Sequence, residues 1–163
     1  SNYELSMPSY HDVVKHVGSD VPFFINKQPA TISGIGENII NLYDTPPMKM
    51  IIAVPKNGLS TKEVFEKYDE MQPKDTEKYS WNDISLFNDL WNTSVEIYPE
   101  LNTIKQNLED RYNKNFFMSG SGSALFSLFE ENEEIEEIDS EEFNLKYFSI
   151  TKKIDCSFSQ NDD

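Results

Sequence analysis

Between two apolar runs, residues 118–124 read Met-Ser-Gly-Ser-Gly-Ser-Ala, seven positions with no large polar side chain. Alternating glycines let consecutive backbone N–H groups turn toward one point, and serine hydroxyls add donors, so an anion can approach where bulkier side chains would block it. The same composition also suits a plain hairpin connection. Either way the segment demands a sheet on both sides, because Phe116–Met118 and Ser123–Phe129 are strand-like runs that it joins tightly.

The rest of the chain fits a sheet with helices. Tyr10–Val17 places Val13, Val14 and Val17 at helical spacing and stops at Gly18. Val21–Ile25, Ala30–Ser33 and Met48–Val54 are rich in β-branched or aromatic residues and read as strands, and Lys146–Ile154 reads as a last one. Ser60 stands three residues before Glu63, the spacing of a capping box, and starts a helix through Val64, Phe65 and Tyr68. After a polar loop at Met71–Tyr79, two amphipathic helices are expected. Ile84, Leu86, Phe87, Leu90 and Trp91 mark the first, and Ile97, Leu101, Ile104 and Leu108 the second. These elements predict the α+β class, an antiparallel sheet covered by helices on one face.

Charge narrows the partners. Fourteen Lys and Arg against 29 Asp and Glu give a net charge of −15, which repels phosphate backbones and anionic lipid, so neither nucleic acid nor membrane is expected as a partner. No apolar run approaches the ~20 residues of a membrane helix and no basic-then-apolar leader is recognisable. Cys156 is the single cysteine, so a disulfide framework cannot form and a cytoplasmic setting is the simplest fit. Ser1 in place of Met suggests a fragment of a longer protein. Residues 130–142 hold nine acidic side chains among thirteen, which predicts a solvated helix or a mobile loop, since the run lacks the glycine-punctuated spacing of a calcium loop. His11 and His16 lie five apart and share no helical face as a metal pair would.

Asp20 falls between Gly18 and Pro22, at a junction where a carboxylate can be shielded yet reachable. It is either a general base for an alcohol or a turn aspartate bonding local amides. Gly34-Ile35-Gly36-Glu37 reads as a tight turn.

Taken in order, these segments resemble the C-terminal part of the GHMP kinases. Val17-Gly18-Ser19-Asp20-Val21-Pro22-Phe23-Phe24, the Gly34–Glu37 turn, Pro55 to Phe65 with Ser60-Thr61, Asn88-Asp89-Leu90 with Tyr98-Pro99-Glu100-Leu101, and Met118–Ser123 fall in the family's register. The resemblance runs from Ser1 to Phe129 and implies a ferredoxin-like α+β fold. It implies that residues 1–47 end the family's N-terminal catalytic domain and that 48–163 form its C-terminal domain with an acidic insert at 130–142. The implied activity is transfer of the γ-phosphoryl of ATP, with Mg2+, to the 2-hydroxyl of a cytidine-diphosphate-linked methylerythritol. Asp20 takes the family's catalytic position, Ser119, Gly120, Ser121, Gly122 and Ser123 its nucleotide-binding loop, and Phe65 and Thr61 its substrate side. Phe65 matches the aromatic that stacks on the cytosine. The family's first lysine-bearing motif and its long glycine-rich phosphate loop, both N-terminal to Asp20, are not in this sequence, so the missing N-terminal half is an implied partner and the chain alone is expected to be inactive. Lys27-Gln28 stand where the family has a glycine pair. Two further readings remain: a GHMP kinase for another small alcohol, such as homoserine or mevalonate, and an acidic binding module without catalysis.

Overall fold

In the computed structural model of the chain, the described residues are 16–26, 29–41, 46–73, 76, 78–82 and 84–152. They fall into two compact units, one before Pro47 and one from Pro47 onward. Most of the expected Tyr10–Val17 helix, with His11, and the Lys27-Gln28 pair lie outside the described residues.

The first unit holds a short helix, α1 (Val21–Asn26), and a hairpin of β1 (Ala30–Ser33) and β2 (Asn38–Asn41). Val21–Ile25 is therefore helical where its β-branched and aromatic residues predict a strand. Pro22 explains the outcome: its fixed φ and missing N–H suit the first turn of a helix, and its side chain is fully buried. Ala30 pairs with Asn41 and Ser33 with Asn38, closing the expected turn at Gly34–Glu37. Glu37 folds back over that turn, and its carboxylate accepts from the Ile35 amide at 2.7 Å. Gly36, at φ +106, presses so closely on Ser19 that an added Cβ would lie 2.2 Å from the Ser19 carbonyl oxygen. Only glycine lets the hairpin turn reach the backbone beside Asp20.

The second unit is built on β3 (Met48–Pro55), α2 (Thr61–Met71), a small hairpin of β4 (Tyr79–Trp81) and β5 (Ile84–Leu86), α3 (Trp91–Ile97), α4 (Glu100–Tyr112), β6 (Phe117–Met118), β7 (Leu125–Glu130) and β8 (Leu145–Lys152). Its four-stranded antiparallel sheet runs β6-β7-β3-β8, so β3 is central although it comes first in the chain. Both β3 and β6 run antiparallel to β7, which lies between them, and they are connected through the helices, as in the split βαβ arrangement of ferredoxin-like folds, while β8 returns to the far side of β3 by a second crossover. Leu101, Ile104 and Leu108 recur every three to four residues on α4 and are buried against Ile51, Ala53, Leu125 and Phe129 of the sheet. Each such side chain contributes roughly 1.5–3 kcal/mol by leaving water. The expected architecture, an antiparallel sheet with helices on one face, is the one found.

Two local expectations fail for identifiable reasons. Ile84–Trp91 is not a helix, because Ile84–Leu86 pairs with Tyr79–Trp81 around Asn82 at φ 45, and the Asn88 side chain then accepts from the Leu90 amide at 3.0 Å, holding a turn that competes with helical bonding. The apolar stripe from Ile97 to Leu108 spans two helices, since Pro99 cannot donate and biases Tyr98 away from the α region.

The acidic run from Glu130 to Glu142 is neither a helix nor a detached loop. It forms the crossover from β7 to β8 without regular structure. Ile135, Ile138 and Phe143 pack against the core, while Lys114 pairs with Glu133 at 2.9 Å, Arg111 with Glu136 at 2.6 Å, and Lys56 with Glu141. Two isoleucines set among the acids give the segment apolar anchors that its composition hides. Among the described residues no helix is long and apolar enough to cross a membrane.

Candidate functional site

The glycine and serine loop connects β6 to β7 and is closed by its own backbone. Ser119 donates to Ala124 at 2.9 Å and Gly122 to Ser119 at 3.0 Å. Neighbouring elements then take hold of its carbonyls. Asn88 donates to Met118 at 2.7 Å and to Gly120 at 2.8 Å, and Ser94 to Ser121 at 3.4 Å. Ser123, almost fully buried, donates to the carbonyl of Asn57 at 2.7 Å, fixing the loop to the exit of β3. Gly122 sits at φ +89 with Met118 Sδ 2.8 Å and Leu59 Cδ1 3.0 Å from where a Cβ would stand.

Helix α2 begins beside this loop. Ser60 caps it, accepting from the Glu63 amide at 3.4 Å, as the sequence spacing predicts. Thr61 Oγ1 lies 2.8 Å from Ser121 Oγ, so the first turn of α2, where backbone N–H groups are unspent and the helix dipole is positive, abuts the loop. Phe65 is four residues on and shares the Thr61 face of the helix. Its side chain is 51% exposed. A large ring that is half in water and rooted on a capped helix is not a core residue.

The structure thus brings Thr61 and Ser121 together in the second unit, with Phe65 one turn further along the same helix. Asp20 lies in the first unit, exposed, one residue before α1. Its backbone carbonyl accepts from Phe24 at 3.4 Å. Three residues that sequence reasoning did not assign to the loop, Asn57, Ser94 and Asn88, hold it in place. For Asn88 the signal was present in Asn88-Asp89-Leu90, whose side chains mark a turn. Beyond Asn88 a cavity of about 480 Å3 opens between Tyr79, Phe87, Trp91, Phe117 and Lys105, and the Lys105 charge is matched there by Glu109 at 2.6 Å. Among the described residues no three His, Cys, Asp or Glu side chains gather where they could hold a metal ion.

The sequence that builds this loop and the strands on either side of it has relatives in a known family. Residues 77–141 match the family model described as GHMP kinases C terminal. The chain belongs to the GHMP kinases through that C-terminal domain. Its relatives carry a more particular name. A 4-diphosphocytidyl-2-C-methyl-D-erythritol kinase of Protochlamydia amoebophila is 36% identical over 114 residues, covering 69% of this chain and 40% of the relative. The protein of that name from Lachnospira eligens is 31% identical over 142 residues, covering 78% and 49%. A crystal structure of 4-(cytidine 5'-diphospho)-2C-methyl-D-erythritol kinase matches with a TM-score of 0.58 at 25% identity, over 77% of this chain and 49% of that one. The chain spans about half the length of the curated relatives it matches, or less.

Proposed function

We propose that the chain is the C-terminal portion of an ATP-dependent kinase that phosphorylates the 2-hydroxyl of 4-diphosphocytidyl-2-C-methyl-D-erythritol, a step of isoprenoid biosynthesis outside the mevalonate route. One observation carries this reading: the Thr61 hydroxyl on the expected substrate side meets Ser121 of the expected nucleotide loop at 2.8 Å. A phosphoryl group passing between two bound molecules needs their sites to adjoin, because such catalysis is positioning and charge stabilisation. Within the loop Ser119–Ser123 the amides of Gly120 and Ser121, which are not spent on the loop's own carbonyls, would face the phosphates together with the α2 start, and Phe65 would stack on the cytosine. Asp20, at the start of α1, would take the proton from the hydroxyl. Residues 1–47 are read as the end of the catalytic N-terminal domain and 48–163 as the C-terminal domain, with the remaining N-terminal half as partner and the cytoplasm as setting. Mg2+ would accompany ATP, held by the nucleotide's own phosphates. Among the described residues of this chain no three His, Cys, Asp or Glu side chains gather to hold it.

The test joins this chain to the preceding half of its protein and supplies ATP, Mg2+ and the cytidylyl alcohol. Release of ADP at ordinary kinase rates, about 1–100 per second, is expected from the joined protein and none from this chain alone. Turnover by the chain alone at those rates overturns the fragment reading. Turnover of homoserine or mevalonate instead of the cytidylyl alcohol overturns the substrate.

A further inference from the structure

We infer that Asn88 is a positioning residue for nucleotide binding: by holding the carbonyl of Gly120, and anchoring the loop through that of Met118, it turns the Gly120–Ser121 peptide unit so that the Ser121 amide faces outward. This rests on the nucleotide-binding reading of Ser119–Ser123.

The argument begins with the side chain's own valences. A carboxamide has two N–H hydrogens and one acceptor oxygen. Asn88 spends one hydrogen on Met118 at 2.7 Å and the other on Gly120 at 2.8 Å, while its oxygen accepts from Leu90 at 3.0 Å. The assignment of nitrogen and oxygen is unambiguous, since one end meets two carbonyls and the other an N–H. The turn at Leu90, whose next residue Trp91 donates to the Asn88 carbonyl at 3.1 Å, fixes Asn88 at the head of α3. The loop is thereby tied to a packed helix rather than to another loop.

In a planar trans peptide the N–H points opposite to the C=O. With the Gly120 carbonyl drawn onto Asn88, the amide of Ser121 is aimed away from it. With the Ser119 carbonyl taken by Gly122 at 3.0 Å, the amide of Gly120 is aimed away from the inside of the turn. Ser94, also on α3, holds the Ser121 carbonyl from the same helix. Carbonyl oxygens carry the partial charge that would repel a phosphate, and each of the four from Met118 to Ser121 is consumed within the protein. A loop of glycines left to itself would rotate these units freely. Asn88 supplies the order that its glycines lack, so the cost of aligning donors is met before any nucleotide arrives.

The test is Asn88→Asp, which keeps the acceptor for Leu90 but replaces both donors with a carboxylate facing two carbonyls. In the joined kinase, loss of two hydrogen bonds that orient the loop should raise KM for ATP about tenfold or more. KM for the alcohol should stay within about twofold and the melting temperature within a few degrees, since no core residue is touched. An unchanged KM for ATP, or an equal rise in both KM values with a collapse of melting temperature, overturns the positioning role. If the unsubstituted joined protein shows no kinase activity, the function has failed and hydrogen exchange of this chain decides the positioning. The bonded loop amides of Ser119 and Gly122 should exchange about tenfold faster in Asn88→Asp while those of β3 and β7 stay protected, and unchanged exchange at both overturns it.

Discussion

Truncating Phe65 to alanine separates a binding residue from a packing one. The ring is 51% exposed, so about half of the loss expected for a buried phenylalanine applies, roughly 1.5–2.5 kcal/mol out of ~3–5. Alanine is the best helix former and the Ser60 cap is untouched, so α2 itself recovers part of that. A net loss of about 1–2 kcal/mol corresponds to a fall of about 2–8 °C in the melting temperature of a chain this size. Stacking on a base is worth about 1–3 kcal/mol, so KM for the cytidylyl alcohol should rise roughly 5- to 150-fold. KM for ATP should hold, because Phe65 is a full helical turn past the Thr61 contact to the loop. The assay is calorimetry on this chain beside steady-state kinetics on the joined kinase. A fall of well over 10 °C with both KM values shifting together would refute the reasoning and make Phe65 a packing residue.

Other outcomes follow from the same geometry. Asp20→Asn in the joined kinase keeps the side-chain shape but cannot accept the proton, so kcat should fall about 10²–10⁴-fold with an unchanged melting curve; near-full kcat would return Asp20 to a turn role. Gly122→Val forces a branched side chain onto Met118 Sδ and Leu59 Cδ1 at φ +89, so ATP binding should weaken before alcohol binding, as titration calorimetry with each ligand would register. Burial foremost, with Glu100 adding at Tyr98, raises the phenols of Tyr98 and Tyr112 above the ordinary 10.0. The folded state thus favours the protonated phenol, so this stability is complete below pH 10 and is lost as pH climbs through the raised values. Denaturant midpoints taken from pH 9 upward should fall less steeply in Tyr112→Phe than in the native chain.

What could be read from the sequence was what local rules govern. The Ser60–Glu63 cap, the α4 stripe of Leu101, Ile104 and Leu108, and the strand after the glycine loop follow from spacing alone, and the fold confirms each. Errors arose where one residue outranked a pattern. Pro22 made a helix of a strand-like composition, Pro99 divided one apolar stripe between two helices, and the Asn88 side chain ended what looked like helical periodicity. In the candidate site, Thr61, Phe65 and the loop were visible as motifs. The meeting of Thr61 with the loop was not, because the Thr61–Ser121 contact joins residues that no local pattern connects. The carbonyl grip of Asn88 and Ser94 was hidden for the same reason.

The central place of β3 has a consequence for how the molecule is made. Its two neighbours are both synthesised long after it: Lys49 lies opposite Phe129 on one side and Lys152 on the other. During synthesis the stretch Met50-Ile51-Ile52-Ala53-Val54 must therefore emerge with both edges unpaired, in a state that invites pairing with other chains until the last strand leaves the ribosome. Loop closures of this span are slow, so refolding should fall on the slow side of the range for mixed domains. A chain stopped before Leu145 would keep α4 and the glycine loop yet leave the middle of its sheet as an open rim, and aggregation rather than lost binding would be its first symptom.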